Sequence, residues 1–247
     1  MAGGGRRDDH CRRNPDSIVK LVLFDIDGTI LWSDGAGRRA MTAALTHVFG
    51  SAGPTDYRYD GKTDPQIVRD LMRLEGHTEE TIDERMAQLM ERYLSGLEAE
   101  LSAGLRAHLF EGVPELLDAL EARDDIVLGL LTGNLRAGAA LKLRSAGIDM
   151  YRFRIGAFGS DHHHRPELPA IAQRRAREEL GLEIPGDAVV VIGDTPADIE
   201  CGRAIGARAV GVATGRYTVA ELESHSPLAV FPTLADTEAV LRVIVDA

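Results

Sequence analysis

The polar and apolar positions of the chain divide it into two kinds of pattern. The first is a short run, Leu21-Val22-Leu23-Phe24, with four apolar residues in a row. Such a run reads as a strand buried on both faces. Asp25 and Asp27 follow at spacing i, i+2, which alternation keeps on one face of an extended chain. Gly28 then breaks the strand and permits a sharp turn. The second pattern is helical. Arg38 to Phe49 reads as one helix, and residues 50–62, rich in Gly, Pro, Asp and Tyr, read as a loop. Asp64-Pro65 predicts a helix start, with Asp64 as N-cap and Pro65 in the first turn. Ile67, Val68, Leu71, Met72 and Leu74 supply its apolar face. Thr78 is placed to cap the next helix, where Glu79 and Glu80 favour the positive end of the dipole. Ile82, Met86, Leu89, Met90, Tyr93, Leu94, Leu97 and Leu101 continue it as a long stripe, read as core packing. Residues 34–107 are therefore expected to be all-helical.

From Gly112 onward helix and strand alternate. Pro114 suits the first turn of a helix running to Arg123. Ile126 to Leu131, Arg154 to Phe158, Ala188 to Ile192, Ala207 to Val212 and Ala229 to Phe231 predict strands. Leu135 to Ser145, Leu168 to Leu180, Ala197 to Ile205 and Thr237 to Val245 predict helices. This alternation implies right-handed crossovers and a mostly parallel sheet. The expected fold is α/β: a Rossmann-like core from residues 18–33 and 108–247, with helices on both faces, and the helical block 34–107 inserted after the first strand. In such a sheet the site lies at the carboxyl ends of the strands.

Composition narrows the function classes. At 247 residues, 44% hydrophobic and 27% charged, the chain can bury a full core. A net charge of −11 argues against a general nucleic-acid partner. No apolar run approaches the roughly 20 residues of a membrane span. Two cysteines, Cys11 and Cys201, exclude a disulfide framework, and the expectation is a reducing, cytoplasmic setting. Residues 1–17 carry four arginines, almost nothing apolar and several acids, and read as a disordered tail. The chain is expected to act as a monomer or homodimer.

The candidate chemistry sits at the predicted strand ends. A buried strand that delivers Asp25 and Asp27 needs a metal, a cation or hydrogen bonds to offset their desolvation. Leu131-Thr132-Gly133-Asn134 places a hydroxyl, a glycine and a helix start together, which suits binding of an anion. In Gly193-Asp194-Thr195-Pro196-Ala197-Asp198 a second carboxylate pair, at spacing i, i+4, faces the same cavity. Two such acids beside an anionic substrate call for a divalent cation, and magnesium favours oxygen ligands of this kind. His162, His163 and His164 cannot converge on one ion from a regular element and read as a solvated loop.

Asp25-Ile26-Asp27-Gly28-Thr29, Leu131-Thr132-Gly133-Asn134, Arg165-Pro166 and Gly193-Asp194-Thr195-Pro196-Ala197-Asp198 occur in the order of four motifs, and the chain resembles the haloacid dehalogenase-like hydrolase superfamily. The helical block resembles the cap of its phosphoglycolate phosphatase-like branch. The resemblance implies a magnesium-dependent phosphatase acting on a small phosphorylated metabolite. Asp25 would be the nucleophile and Asp27 the acid/base. Asp25, Asp27, Asp194 and Asp198 would serve Mg2+. Thr132 and Arg165 would hold the phosphoryl oxygens, with Gly133 and Asn134 beside them; Lys142, Arg152 and Arg154 are neighbouring cations in sequence that stay open for the role of Arg165. Gly61-Lys62-Thr63-Asp64 resembles a cap loop facing the site, so Lys62 would read a substrate anion. A departure from the branch is Glu167-Leu168-Pro169, which weakens transfer of any one substrate. A phosphomutase shares every core motif and stays open, as does a binding module without turnover. A dehalogenase would leave Asp27 and the Asp194/Asp198 pair unexplained.

Overall fold

The computed structural model describes residues 19–102 and 107–247. The expected tail at 1–17 lies outside the described residues.

The strand β1 (Lys20–Phe24) is the centre of the sheet. Its four apolar residues are fully buried. Val22 and Phe24 join one core, while Leu21 and Leu23 join the core on the opposite face. The alternation of a two-sided strand thus builds both layers at once. Two short strands, β2 (Leu31–Trp32) and β3 (His108–Leu109), pair antiparallel at the two borders of the helical block. Strands of two residues carry no period, so this ribbon has no signature in the sequence. The other strands are β4 (Ile126–Thr132), β5 (Ile155–Phe158), β6 (Val189–Gly193), β7 (Arg208–Val212) and β8 (Ala229–Phe231). They form with β1 a parallel six-stranded sheet in the order β5-β4-β1-β6-β7-β8. The strand order reverses at β1, which lies between β4 and β6, and ligand crevices form at such a switch point.

Three helices follow β2: α1 (Ala36–Phe49), α2 (Asp64–Leu74) and α3 (Glu79–Ser102). They share an apolar core separate from the sheet's own, containing Leu45, Ile67, Leu71, Leu89 and Leu97. The expected α3 stripe is buried at Ile82, Leu89, Tyr93, Leu97 and Leu101, with Met86, Met90 and Leu94 packed at its edge. The start of α2 differs from the sequence reading. Thr63, not Asp64, is the N-cap, and its hydroxyl accepts the Gln66 N–H at 3.2 Å. Asp64 is thereby free to turn its carboxylate toward the sheet.

After β3 the helices are α4 (Val113–Glu121), α5 (Arg136–Ser145), α6 (Leu168–Leu180), α7 (Pro196–Cys201), α8 (Val219–Glu223) and α9 (Thr237–Asp246). Helices α4 and α9 cover one face of the sheet and α6 the other. The helix expected over 197–205 stops at Cys201. Gly202 interrupts it, and a tight turn at Arg203–Ile205 follows. Glycine is a poor helix former, which ends the helix despite the apolar positions beyond it. The five-residue α8 was also not anticipated, although Thr218 and Glu221 close a capping box around its first turn. Among the described residues no helix is long and apolar enough to cross a membrane. Cys201 is buried and free, and Cys11 lies outside the described residues.

Candidate active site

The carboxyl ends of β1, β4 and β6 converge on one cavity of about 910 Å³. Asp25 comes directly after β1, and its N–H donates to Ile192 O at 2.9 Å, continuing the sheet ladder. Asp194 comes directly after β6 and Thr132 closes β4. Arg165 enters on a tight turn, Arg165–Glu167, after the loop that follows β5. Asp25, Thr132, Arg165, Asp194 and Asp198 are all buried. Gly28 takes a left-handed backbone, and a Cβ there would lie 2.3 Å from Asp194 Oδ2. Any side chain at this turn would push the carboxylate out of place. Thr29 adds a hydrogen bond from its hydroxyl to Asp194 Oδ1 at 3.3 Å.

One oxygen each of Asp25, Asp194 and Asp198 fits within 4.8 Å of the others. Burial pushes the Asp25 carboxyl up to about 7; Arg165 pulls it down, and Asp198 and Asp27 add to the rise. Burial also holds Asp194 well above the ordinary carboxylate range, helped by Asp198 and Asp25. Arg165 supplies the opposing charge. Its Nη2 lies 3.1 Å from Asp25 Oδ1, donates to Asp198 Oδ1 and reaches Leu131 O at 3.4 Å. Its Nε is buried and has no partner among the described residues. Asp198 is the most committed acid of the group. Its Oδ1 takes Arg165, and its Oδ2 accepts the Thr195 N–H at 2.9 Å and hydroxyl at 2.7 Å. The bond from the Thr195 N–H is one half of the capping box that starts α7, and the Asp198 N–H donating to the Thr195 hydroxyl at 3.3 Å is the other.

A cluster of two or three buried acids facing one guanidinium fits a divalent cation. Each carboxylate is costly to ionise in this setting, and a cation removes that cost. Asp25 and Asp194 have oxygens available, whereas Asp198 acts through Arg165 and Thr195.

The remaining sequence-expected residues also line or border this cavity. Asp27 is 35% exposed and faces it. Thr132 Oγ1 accepts the Asn134 amide N–H at 2.8 Å, and that amide also donates to Asp27 Oδ2 at 2.7 Å. Gly133 touches the helical block: a Cβ there would sit 2.0 Å from Lys62 O. Lys62 lines the cavity, but its ammonium engages Asp70 at 3.1 Å and the Tyr57 hydroxyl within its own unit. His163 and His164 are exposed, and His162 and His163 stack at 4.9 Å. Toward the helical unit the run offers its main chain, the Thr63 hydroxyl donating to His163 O at 2.6 Å.

Other cavity residues take roles that the sequence did not assign to them. Lys142 of α5 is buried and donates to Asp27 Oδ2 and to Asn134 Oδ1 at 2.6 Å. Its signal was a charge on the α5 face that carries Leu135, Gly138 and Ala139, at steps of three and four. Asp64 is buried, accepts the Leu135 N–H at 2.8 Å and hydrogen-bonds with the Tyr93 phenol. Trp32 is 51% exposed at the cavity. Arg38 lies 4.0 Å above the Tyr59 ring.

Comparison with known proteins agrees with this architecture. The chain is 28% identical over 203 residues to the phosphoglycolate phosphatase of Synechococcus elongatus, covering 80% of this chain and 85% of that one. It is 25% identical over 213 residues to the pyrophosphatase PpaX of Bacillus velezensis, covering 86% and 91%. A crystal structure of a hydrolase from Pseudomonas syringae has the same fold, with a TM-score of 0.69 at 23% identity over 90% of this chain and 98% of that one. The haloacid dehalogenase-like hydrolase family model matches residues 19–206, from before β1 to beyond α7. With that match spanning most of the sheet and the whole helical block, the chain belongs to the haloacid dehalogenase-like hydrolases.

Proposed function

We propose that the protein is a phosphatase that hydrolyses a small phosphomonoester through an aspartyl-phosphate intermediate. The observation that carries the reading is the 3.1 Å approach of Arg165 Nη2 to Asp25 Oδ1, buried at the end of the central strand. A carboxylate nucleophile and the cation that neutralises the incoming phosphoryl group are side by side. Both also face the cavity that would receive the substrate.

Asp25 attacks phosphorus in line with the ester bond. The Asp25 oxygen–phosphorus bond forms, the ester bond breaks, and the electron pair leaves with the alkoxide oxygen. Asp27 donates its proton to that oxygen, then accepts one from the water that attacks the aspartyl phosphate. Free phosphate leaves and Asp25 is regenerated. Arg165 lines the cavity and balances charge on the equatorial oxygens. The Thr132 hydroxyl, at the end of β4, is the neutral donor of the set. Mg2+ is the cation that suits this oxygen-only group. Asp25, Asp194 and the main-chain carbonyl of Asp27 would hold it, with Asp198 in support. When bound it supplies charge neutralisation for the phosphoryl transfer.

The helical unit, residues 34–107, acts as a cap over the site. Its loop at 61–64 meets the end of β4 directly, through the Asp64 N–H to Gly133 O at 2.8 Å. A cap in this place excludes bulk water from the aspartyl phosphate until hydrolysis is due. The substrate's leaving group then lies between the sheet and the cap, beside Trp32, Arg38 and Tyr59. The similarity to a phosphoglycolate phosphatase supports a small phosphorylated metabolite as substrate.

A magnesium-dependent phosphate-release screen over small phosphomonoesters, with no bisphosphate added, tests the reading. Turnover of at least one ester, lost with a chelator, is expected. Activity only after addition of a sugar bisphosphate would favour a phosphomutase instead.

A further inference from the structure

We propose that Lys142 is a positioning residue for Asp27, fixing which carboxylate oxygen meets the leaving group. The inference rests on the phosphatase reading above and adds a residue to it.

A buried lysine is uncommon unless it is paired. Lys142 is 5% exposed by its side chain, and its ammonium has two acceptors in reach. One is Asp27 Oδ2 at 2.5 Å and the other Asn134 Oδ1 at 2.6 Å. Asn134 closes the ring by donating its amide N–H to the same Asp27 Oδ2 at 2.7 Å. The amide's orientation is set by Thr132 Oγ1, which accepts from the same nitrogen at 2.8 Å. Among the described residues, both hydrogen bonds to the Asp27 side chain end on Oδ2. Oδ1 receives none.

Two donors on one oxygen do two things. They hold the carboxylate in one rotamer, because the ammonium and the amide approach from fixed elements. They also leave Oδ1 as the oxygen that carries the proton and meets the substrate's leaving oxygen. In the transfer step the proton on Oδ1 moves to the departing alkoxide as the ester bond breaks, and Oδ2 stays on its two donors.

The ring is closed from the cap side as well. A Cβ at Gly37, in the first turn of α1, would lie 3.4 Å from Lys142 Nζ and 3.8 Å from the Tyr93 hydroxyl. Larger residues at position 37 would therefore compete with the ammonium for its place over Asp27. A lysine serving only to brace α5 would need no partner in the cavity, yet its partner here is the acid that faces the leaving group.

The test compares two substrates that differ in how much they need an acid. p-Nitrophenyl phosphate releases a stable phenolate and needs little protonation. An alkyl phosphomonoester, the best turned over in the screen above, needs it strongly. The quantity read is kcat/KM, which reports the step in which the leaving group departs. Lys142→Met is expected to lower kcat/KM for the alkyl ester about 100-fold and for p-nitrophenyl phosphate less than about fivefold. Lys142→Gln keeps an N–H donor and is expected to fall between wild type and Lys142→Met on the alkyl ester alone. Equal losses on both substrates, or no loss on either, overturn the proposal, since bracing or phosphate binding acts on both alike. If Lys142→Met does not fold, Lys142→Gln decides by the same ratio. If neither folds, the lysine is a structural ion pair and the proposal falls. Failure of wild type on every ester would instead remove the phosphatase reading itself.

Discussion

Asp64 Oδ2 accepts the Leu135 N–H at 2.8 Å, so a carboxylate of the helical unit caps a helix of the sheet. Leu135 is the N-cap position of α5 and offers no side-chain cap of its own. An acid at this end of the helix satisfies a free backbone donor and meets the positive end of the dipole. The cap and the sheet are thus joined by a bond on the same helix that carries Lys142.

That junction is pH-sensitive. Burial pushes the Asp64 carboxyl up to about 6, against Lys142 and the Leu135 N–H, which pull it down. Below the unfolded value of 3.8 the group is neutral in both states. As pH rises from there to about 6 the unfolded chain ionises first, and folding loses about 3 kcal/mol from this residue. Asp64→Asn keeps an acceptor for Leu135 and removes the titration. Chemical denaturation should show the variant gaining about 3 kcal/mol on wild type between about pH 4 and pH 7. Parallel stability curves would contradict it.

Cation binding is expected to stabilise the folded chain alone. Burial and neighbouring acids raise Asp25 and Asp194, and a divalent cation relieves both. Millimolar Mg2+ should raise the melting temperature of wild type by several degrees at neutral pH. Asp194→Asn should lose most of that rise. An undiminished rise in the variant would move the cation elsewhere.

Gly133 carries a steric prediction. Its missing side chain lets Lys62 O pass, and Gly133 O accepts the Asp64 N–H. Gly133→Ala places a methyl against a main-chain carbonyl that has no rotamer to yield. The sheet should survive, with a loss of about 1–3 kcal/mol, while kcat/KM falls at least tenfold as the 61–64 loop is displaced. Wild-type kinetics in a folded variant would show that this contact is not needed.

Arg165 and the histidine run are separable by substitution. Arg165→Ala leaves Asp25 and Asp198 facing one another without their cation, and removal of a buried partner costs about 3–5 kcal/mol. Turnover should fall by orders of magnitude. Arg165→Lys should recover part of it, since a point charge still binds phosphate. His163→Ala and His164→Ala should change turnover less than twofold. A silent Arg165→Ala beside a damaging His164→Ala would reverse these roles.

The sheet was legible because its strands are buried on both faces, and Leu21 to Phe24 or Val189 to Ile192 leave little choice of element. The helical block was legible from the Ile82–Leu101 stripe, whose period is unambiguous. What the sequence did not disclose depends on contacts between distant segments. Thr63 and Asp64 are both good caps by type, and only the approach of Leu135 decides which one caps α2. Tyr93 reads as core from its spacing, yet its hydroxyl reaches Asp64 beside the cavity. Lys62 lines the cavity, and its sequence neighbours do not disclose that Asp70, two turns along α2, reaches its ammonium. Arg165 stood out through its motif, whereas Lys142 was visible only as a nearby cation on the apolar face of a helix, with nothing to pair it with Asp27.

The central claim is that Asp25 becomes covalently phosphorylated. The direct measurement is acid quench of the enzyme during turnover of p-nitrophenyl phosphate with Mg2+, followed by peptide mass spectrometry. The account predicts one phosphoryl group on Asp25, present in wild type, absent from Asp25→Asn, and accompanied by loss of turnover in that folded variant. A phosphoryl group on another residue, or Asp25→Asn turning over at the wild-type rate, would contradict it.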